Sequence, residues 1–167
     1  MTDDVQRLRP DTFEAFAHAR TPHLFRFAWL LCGHQAEAED LVQETLTKVY
    51  VRVSKRLSAP LDHPATYAQT VLARTFISAR RRPSSTEMPY ADLPDGSIDD
   101  HTGASDAKVV LHRALGDLRP VDRAVVVLRY LDDLSVEQVA QILGLTPGAV
   151  RSRSTRALAR LREGVLR

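Results

Sequence analysis

The side chains best suited to chemistry stand near the C-terminus. Residues 146–167 hold Arg151, Arg153, Arg156, Arg160, Arg162 and Arg167 against the single acid Glu163. Ser152, Thr155 and Ala159 are interleaved with them. At 100° per residue, Arg151, Ser152, Thr155, Arg156 and Ala159 share one side of a helix, and Arg153 and Arg160 flank it. Val150, Ala157, Leu158 and Leu161 fall on the other side, which must face a core. Such a face binds rather than catalyses. Guanidinium forks fit guanine edges and phosphates, and small side chains let the helix backbone approach base edges. The segment therefore reads as a DNA-contacting helix.

Two further groups point the same way. Residues 63–82 contain Arg74, Arg80, Arg81 and Arg82 and no acid. Residues 83–107 contain no Lys or Arg, but carry Glu87, Asp92, Asp95, Asp99, Asp100 and Asp106. The net charge of +2 hides this basic–acidic–basic order, which fits a polyanionic partner better than the net value does. Asp40, Gln43 and Glu44 fall off the apolar stripe of their own segment and form an exposed acidic-polar face. The chain does not read as an enzyme, for it has no Gly-rich phosphate loop, nucleophile elbow or paired catalytic carboxylates. Its six histidines show no HxH or HxxxH spacing and it has one cysteine, so no metal, cofactor or disulfide framework is expected. Cys32, at a helix end beside Leu30 and Leu31, reads as a small buried hydrophobe.

The elements that must position these groups are helical. The composition is 44% hydrophobic but only 6% aromatic, with few glycines, which leans against a β fold. Helical periodicity appears over 12–31, with Pro22 as a candidate break and Gly33 as the stop. A second helix spans about 35–54, with Ala38, Leu41, Val42, Thr45, Leu46, Val49, Tyr50 and Val53 inward. A third spans about 64–82, with Tyr67, Ala68, Val71, Leu72, Thr75 and Phe76 inward. After the Pro-, Gly- and Asp-rich stretch 83–105, which reads as a linker, a helix covers 108–118. Another runs from Pro120 to about Leu131. Ser135 and Gln138 make a capping box, Gly144 ends that short helix, and Thr146 with Pro147 opens the last one. Two short helices meeting at a Gly-containing turn make a helix-turn-helix. The N-terminus is polar and acidic, and no apolar run approaches a membrane span, so the expected home is cytoplasmic, without membrane insertion.

The run Ala114-Leu-Gly-Asp-Leu-Arg-Pro-Val-Asp-Arg-Ala-Val-Val-Val-Leu-Arg-Tyr, together with the helix-turn-helix from Ser135, resembles region 4 of bacterial sigma-70-type factors. Ala38-Glu-Asp-Leu-Val-Gln-Glu-Thr-Leu-Thr-Lys-Val-Tyr and Thr70-Val-Leu-Ala-Arg-Thr-Phe-Ile-Ser-Ala-Arg-Arg-Arg resemble region 2. Both halves in this order, without region 3, resemble the extracytoplasmic-function (ECF) group, and the Ile-Ser-Ala-Arg-Arg-Arg ending resembles its actinobacterial branch. The resemblance implies an all-α protein of two small helical domains: region 2 over 12–82, an acidic linker over 83–105 and region 4 over 106–164. It implies a sigma factor that binds core RNA polymerase through the β′ clamp helices and the β flap and directs initiation at −35 and −10 elements of promoter DNA.

Residue by residue, Asp40, Gln43 and Glu44 match the clamp-binding face. Arg151, Ser152, Thr155 and Arg156 match −35 contacts to bases and phosphates, with Arg153 and Arg160 better placed for phosphate. Tyr67, Arg74 and Ser78 match the −10 positions, where relatives usually carry Trp, Asn and Asp; Tyr keeps a stacking surface for an unpaired base. Arg80, Arg81 and Arg82 match the basic end that follows the DNA backbone. The linker would thread toward the RNA exit path of the polymerase. An anti-sigma factor, where one acts, would bury the clamp-binding face, the −35 face or both. The competing reading is a stand-alone repressor or activator with an unrelated sensor half, against which the Asp40–Glu44 face argues.

Overall fold

The computed structural model describes residues 7–55, 59–81 and 106–165; Arg82 and the linker 83–105 lie outside them. Among the described residues the fold is helical. Its elements are α1 (Phe13–Cys32), α2 (Gln35–Ser54), α3 (Pro64–Arg81), α4 (Asp106–Gly116), α5 (Pro120–Val126), α6 (Val136–Leu143) and α7 (Pro147–Val165). A 3-10 turn precedes α1, and a π-helical turn, Val127–Leu131, extends α5. The only β pairing described is an isolated antiparallel bridge between Leu8 and Leu61.

Helix α1 continues as one element past Pro22, contrary to the expected break. An interior proline forfeits one backbone bond and crowds the preceding turn. Here burial beyond the proline, at Leu24, Phe27, Ala28 and Leu31, pins the helix, while Thr21 Oγ1 donates to Ala17 O at 2.7 Å in the turn before it. Gly33, at φ +87°, ends α1 in the left-handed region that favours glycine. Helix α2 buries Ala38, Leu41, Val42, Thr45 and Val49. Tyr50, expected inward, is instead 48% exposed. Helix α3 buries Ala68, Leu72, Ala73, Phe76 and Ile77. Burial has spread beyond the expected stripe because α3 has partners on two sides: α1 and α2, and also α5 and α6.

In the C-terminal half, Ser135 Oγ accepts from Gln138 N at 3.1 Å, and Gln138 Oε1 accepts from Ser135 N at 2.8 Å. This reciprocal capping box fixes the start of α6. Ser135→Ala is expected to cost about 1 kcal/mol, read as a lower urea midpoint at unchanged slope; an unchanged midpoint would remove the cap from the stability account. Gly144, at φ +65°, closes α6, and Thr146 Oγ1 accepts from Ala149 N at 3.2 Å to open α7.

The two halves do not stand apart. Buried residues from α1–α3 and from α5–α7 form one continuous hydrophobic cluster. Arg123, 7% exposed, donates to Leu31 O of α1 and to Gly116 O (2.8 Å) and Leu118 O (3.3 Å) of its own half. On α4, His112 Nε2 lies 3.0 Å from Trp29 O, and its ring sits 3.9 Å from the indole centroid. Burial, then Arg123 and then His34, push the imidazolium of His112 down from its ordinary range. A lowered histidine pKa means the unfolded chain binds the extra proton, so stability rises with pH through the window just below the ordinary value. Acidification from pH 7.5 to 5.5 is therefore expected to lower the melting temperature, and His112→Gln to flatten that dependence. Equal pH slopes for the two proteins would remove His112 from it.

Candidate nucleic-acid interface

On α7, Val150, Ser154 and Ala157 turn inward and are buried, with Leu158 and Leu161 half-buried beside them. Arg151, Ser152, Thr155, Arg156 and Arg160 are all exposed. The helix thus presents the basic face that its spacing predicts. Ser154, unmentioned by the sequence reading, occupies a core position; its small volume fits between Val150 and Ala157, one turn away on either side. Arg153 is half-buried and donates to Asp122 Oδ1 of α5 at 2.7 Å. It therefore braces α7 against α5 as well as facing the rim. Arg151 lies 3.6 Å from Glu137 in a pair exposed on both sides, an attraction worth little that a phosphate can displace.

Beside this face, Arg119, Arg153, Arg156 and Arg160 line a hollow of about 280 Å³ with Asp122 and Ala157. Arg119 was missed by the sequence reading. It stands 37 positions before Arg156 in the chain, so only the packing of α5 on α7 brings the two together. Four guanidinium groups line this concavity with Asp122 as the one acid among its lining residues, a charge pattern suited to an anion.

The second basic group lies on α3. Tyr67 is half-buried against the core. Arg74, Ser78 and Arg81 are exposed, and Arg80 is half-buried. Arg80 pairs with Glu37 of α2 at 2.6 Å, and its guanidinium stands 5.0 Å from the Phe76 ring centroid. It holds the bundle together while its neighbour Arg81 faces water. Arg74 reaches into the other half: its Nε donates to Ile142 O at 2.8 Å and its Nη2 to Gln141 O at 3.1 Å.

The third group lies on α2, where Asp40, Gln43 and Glu44 are exposed, with Glu44 2.7 Å from Lys48. The same helix face continues into Thr47, Tyr50 and Val51. Phe13, Leu46, Thr47 and Tyr50 line a shallow apolar hollow of about 380 Å³, and the Phe13 and Tyr50 rings meet edge to face at 5.1 Å. An acidic strip that runs into an exposed aromatic shelf has the makeup of a protein-binding surface. Cys32 is buried and its thiol is pushed up to about 12 by burial, with Glu37 adding to the shift, so it stays a protonated thiol at neutral pH.

The molecule is thus a two-part helical protein whose C-terminal part is a helix-turn-helix with a basic recognition face. Its sequence matches the family description "Sigma-70 region 2" over residues 16–86 and "Sigma-70, region 4" over residues 108–161. It is similar to the RNA polymerase sigma-E factor of Streptomyces avermitilis, with 36% identity over 155 residues covering 90% of this chain and 83% of the relative. It is also similar to the ECF RNA polymerase sigma factor SigL of Mycobacterium tuberculosis, at 32% identity over 144 residues, covering 83% and 80%. A solved structure of the sigma factor RpoE in complex with the anti-sigma factor NepR from Bartonella quintana superposes with a TM-score of 0.67 at 26% identity, over 92% of this chain and 96% of that one. The chain belongs to the ECF group of the sigma-70 family of RNA polymerase sigma factors, alongside actinobacterial members. No described helix is long and apolar enough to cross a membrane.

Proposed function

We propose that this chain reads promoters for RNA polymerase in the cytoplasm by dividing the work among three surfaces. The observation that carries the reading is α7, whose buried Val150–Ser154–Ala157 edge leaves Arg151, Ser152, Thr155 and Arg156 facing outward together. These residues take the −35 element in the major groove. Arg119, Arg153 and Arg160 take its phosphates. The α3 surface around Tyr67, Arg74, Ser78 and Arg81 takes the opened −10 strand. The α2 strip from Asp40 to Val51 docks on the β′ clamp helices, and region 4 meets the β flap. The chain works by binding, with no cofactor and no bond-making step of its own. An anti-sigma factor that covers α2 or α7 would silence it.

The test is run-off transcription with core polymerase on genomic fragments, with start sites mapped. New starts that share two spaced elements are the expected result. Tight duplex binding without polymerase, together with no new starts, would favour a stand-alone repressor. Arg156→Ala is expected to weaken −35-dependent transcription by about 5- to 100-fold, the worth of one bidentate base contact, and to relax base preference at one −35 position. A loss with unchanged preference would assign Arg156 to phosphate alone.

A further inference from the structure

Residues of α1, α3, α4 and α5 line a cavity that promoter reading leaves unused. Its volume is about 440 Å³, within the roughly 300–1,000 Å³ range of small-molecule sites. Its walls include Arg80, Arg113, Arg123, His34, His112 and Cys32, and none of its described lining residues is an acid. Arg123 is 7% exposed and is tied to main-chain carbonyls, which leave its charge in place. Arg80 meets Glu37 at 2.6 Å. The guanidinium groups of Arg80 and Arg123 both stand near the Phe76 ring, at 5.0 and 5.9 Å from its centroid, so two cations share one wall against their mutual repulsion. Arg113 and His34 are exposed, so the cationic wall reaches solvent. His112 is the responsive group. Trp29 O accepts a hydrogen bond from its Nε2 at 3.0 Å, so Nδ1 is the atom that takes a second proton. Nδ1 lies beside Gly33, another lining residue: a Cβ there would stand 3.7 Å from it. The charged and titratable groups around the imidazole are Cys32 of α1, His34 before α2, Arg80 of α3 with its partner Glu37 of α2, Arg113 of α4 and Arg123 of α5. Burial, then Arg123 and then His34 disfavour its charged form; an anion in the cavity offsets the last two.

We propose that this cavity binds a phosphate group, free or carried on a small metabolite, between Arg80, Arg113 and Arg123. A guanidinium presents a planar fork of N–H donors that matches phosphate oxygens. Leu30 and Cys32 add apolar wall for a carbon skeleton. The cavity shares no lining residue with the hollow beside α7 that holds Arg119 and Arg160, so it is separate from the surface assigned to promoter phosphates. Binding is linked to a proton. A bound dianion favours the imidazolium of His112, so the complex takes up a proton and affinity rises as pH falls through the window below the ordinary histidine value. The inference goes beyond promoter reading, and its test needs neither DNA nor polymerase.

Trp29 is the only tryptophan of the chain, and its indole meets the His112 ring with centroids 3.9 Å apart. Its fluorescence therefore reports on the cavity. The probe is sulfate, a dianion throughout pH 5.5 to 7.5, added to the full chain and compared with chloride at matched ionic strength. Sulfate is expected to give a saturable change with a Kd on the order of 1 mM, and chloride none. That Kd should tighten about 3- to 10-fold from pH 7.5 to 5.5, as uptake of one proton requires. Arg113→Gln, at an exposed position, should weaken it about 10- to 100-fold, the worth of one hydrogen bond between charged groups. Arg160→Gln, in the other arginine-lined hollow, should leave it as it is. An equal response to chloride, a Kd independent of pH, or parent-like binding by Arg113→Gln would overturn the proposal, and so would loss of the response in Arg160→Gln instead. Inorganic phosphate and ribose 5-phosphate, compared at pH 7.5, separate the two sources. Tighter binding of the ester assigns a phosphorylated metabolite, and equal binding assigns free phosphate.

Discussion

Phe76→Ala is expected to lower the free energy of unfolding by about 3–5 kcal/mol, the usual cost of emptying a fully buried phenyl site. Phe76 is 2% exposed and lies in the cluster shared by both halves. The guanidinium of Arg80 stands 5.0 Å from its ring centroid and that of Arg123 stands 5.9 Å away. Removing the ring therefore opens a cavity and also strips an aromatic face from two cations. Against a total stability of about 5–15 kcal/mol the loss is severe. It corresponds to a drop in melting temperature of about 6–20 °C for a protein of this size. Urea titration followed by circular dichroism reads it. A loss under about 1 kcal/mol would mean that the halves are held by other contacts and that the ring is a bystander.

The second large effect concerns polymerase capture. Asp40→Lys combined with Glu44→Lys is expected to weaken binding to core polymerase by about 30-fold or more, in line with the 2–5 kcal/mol lost when interfacial charge pairs are broken. Both side chains are exposed, so the fold is spared. The local cost is the Glu44–Lys48 contact and a new like-charge i,i+4 pair, a few tenths of a kcal/mol. Immobilised core polymerase and the parent chain provide the comparison. Circular dichroism of the variant should match the parent. Equal capture of both proteins would move the docking site off α2, with the Tyr50 shelf the next segment to probe.

Helix boundaries and the recognition face were legible in the sequence because they depend on local rules. Caps at Ser135 and Thr146, the stop at Gly144, and the 3.6-residue spacing of Val150 and Ala157 each act within a few residues. What was not legible depends on partners far along the chain. The persistence of α1 through Pro22 needs burial on its far side. The exposure of Tyr50 follows from which flank of α2 finds neighbours. The inward turn of Ser154 hides behind a polar residue type. Arg119 joins the basic hollow only when α5 lies on α7. The engagement of Arg74 with α6 could not be read from spacing either, because a guanidinium that bonds main-chain carbonyls leaves no complementary residue type to find.

The long reach of Arg123 has a consequence for synthesis. Its bond to Leu31 O joins residues 92 positions apart. A ribosome adding about 5–20 residues per second needs about 5–20 s to make that stretch. For that interval α1–α3 can pair with one another, but the carbonyl of Leu31 has no guanidinium and the α3 flank that meets α5 and α6 is uncovered. The newborn N-terminal half must therefore stay soluble with that flank open, and the mature seam is sealed only when the last third of the chain emerges.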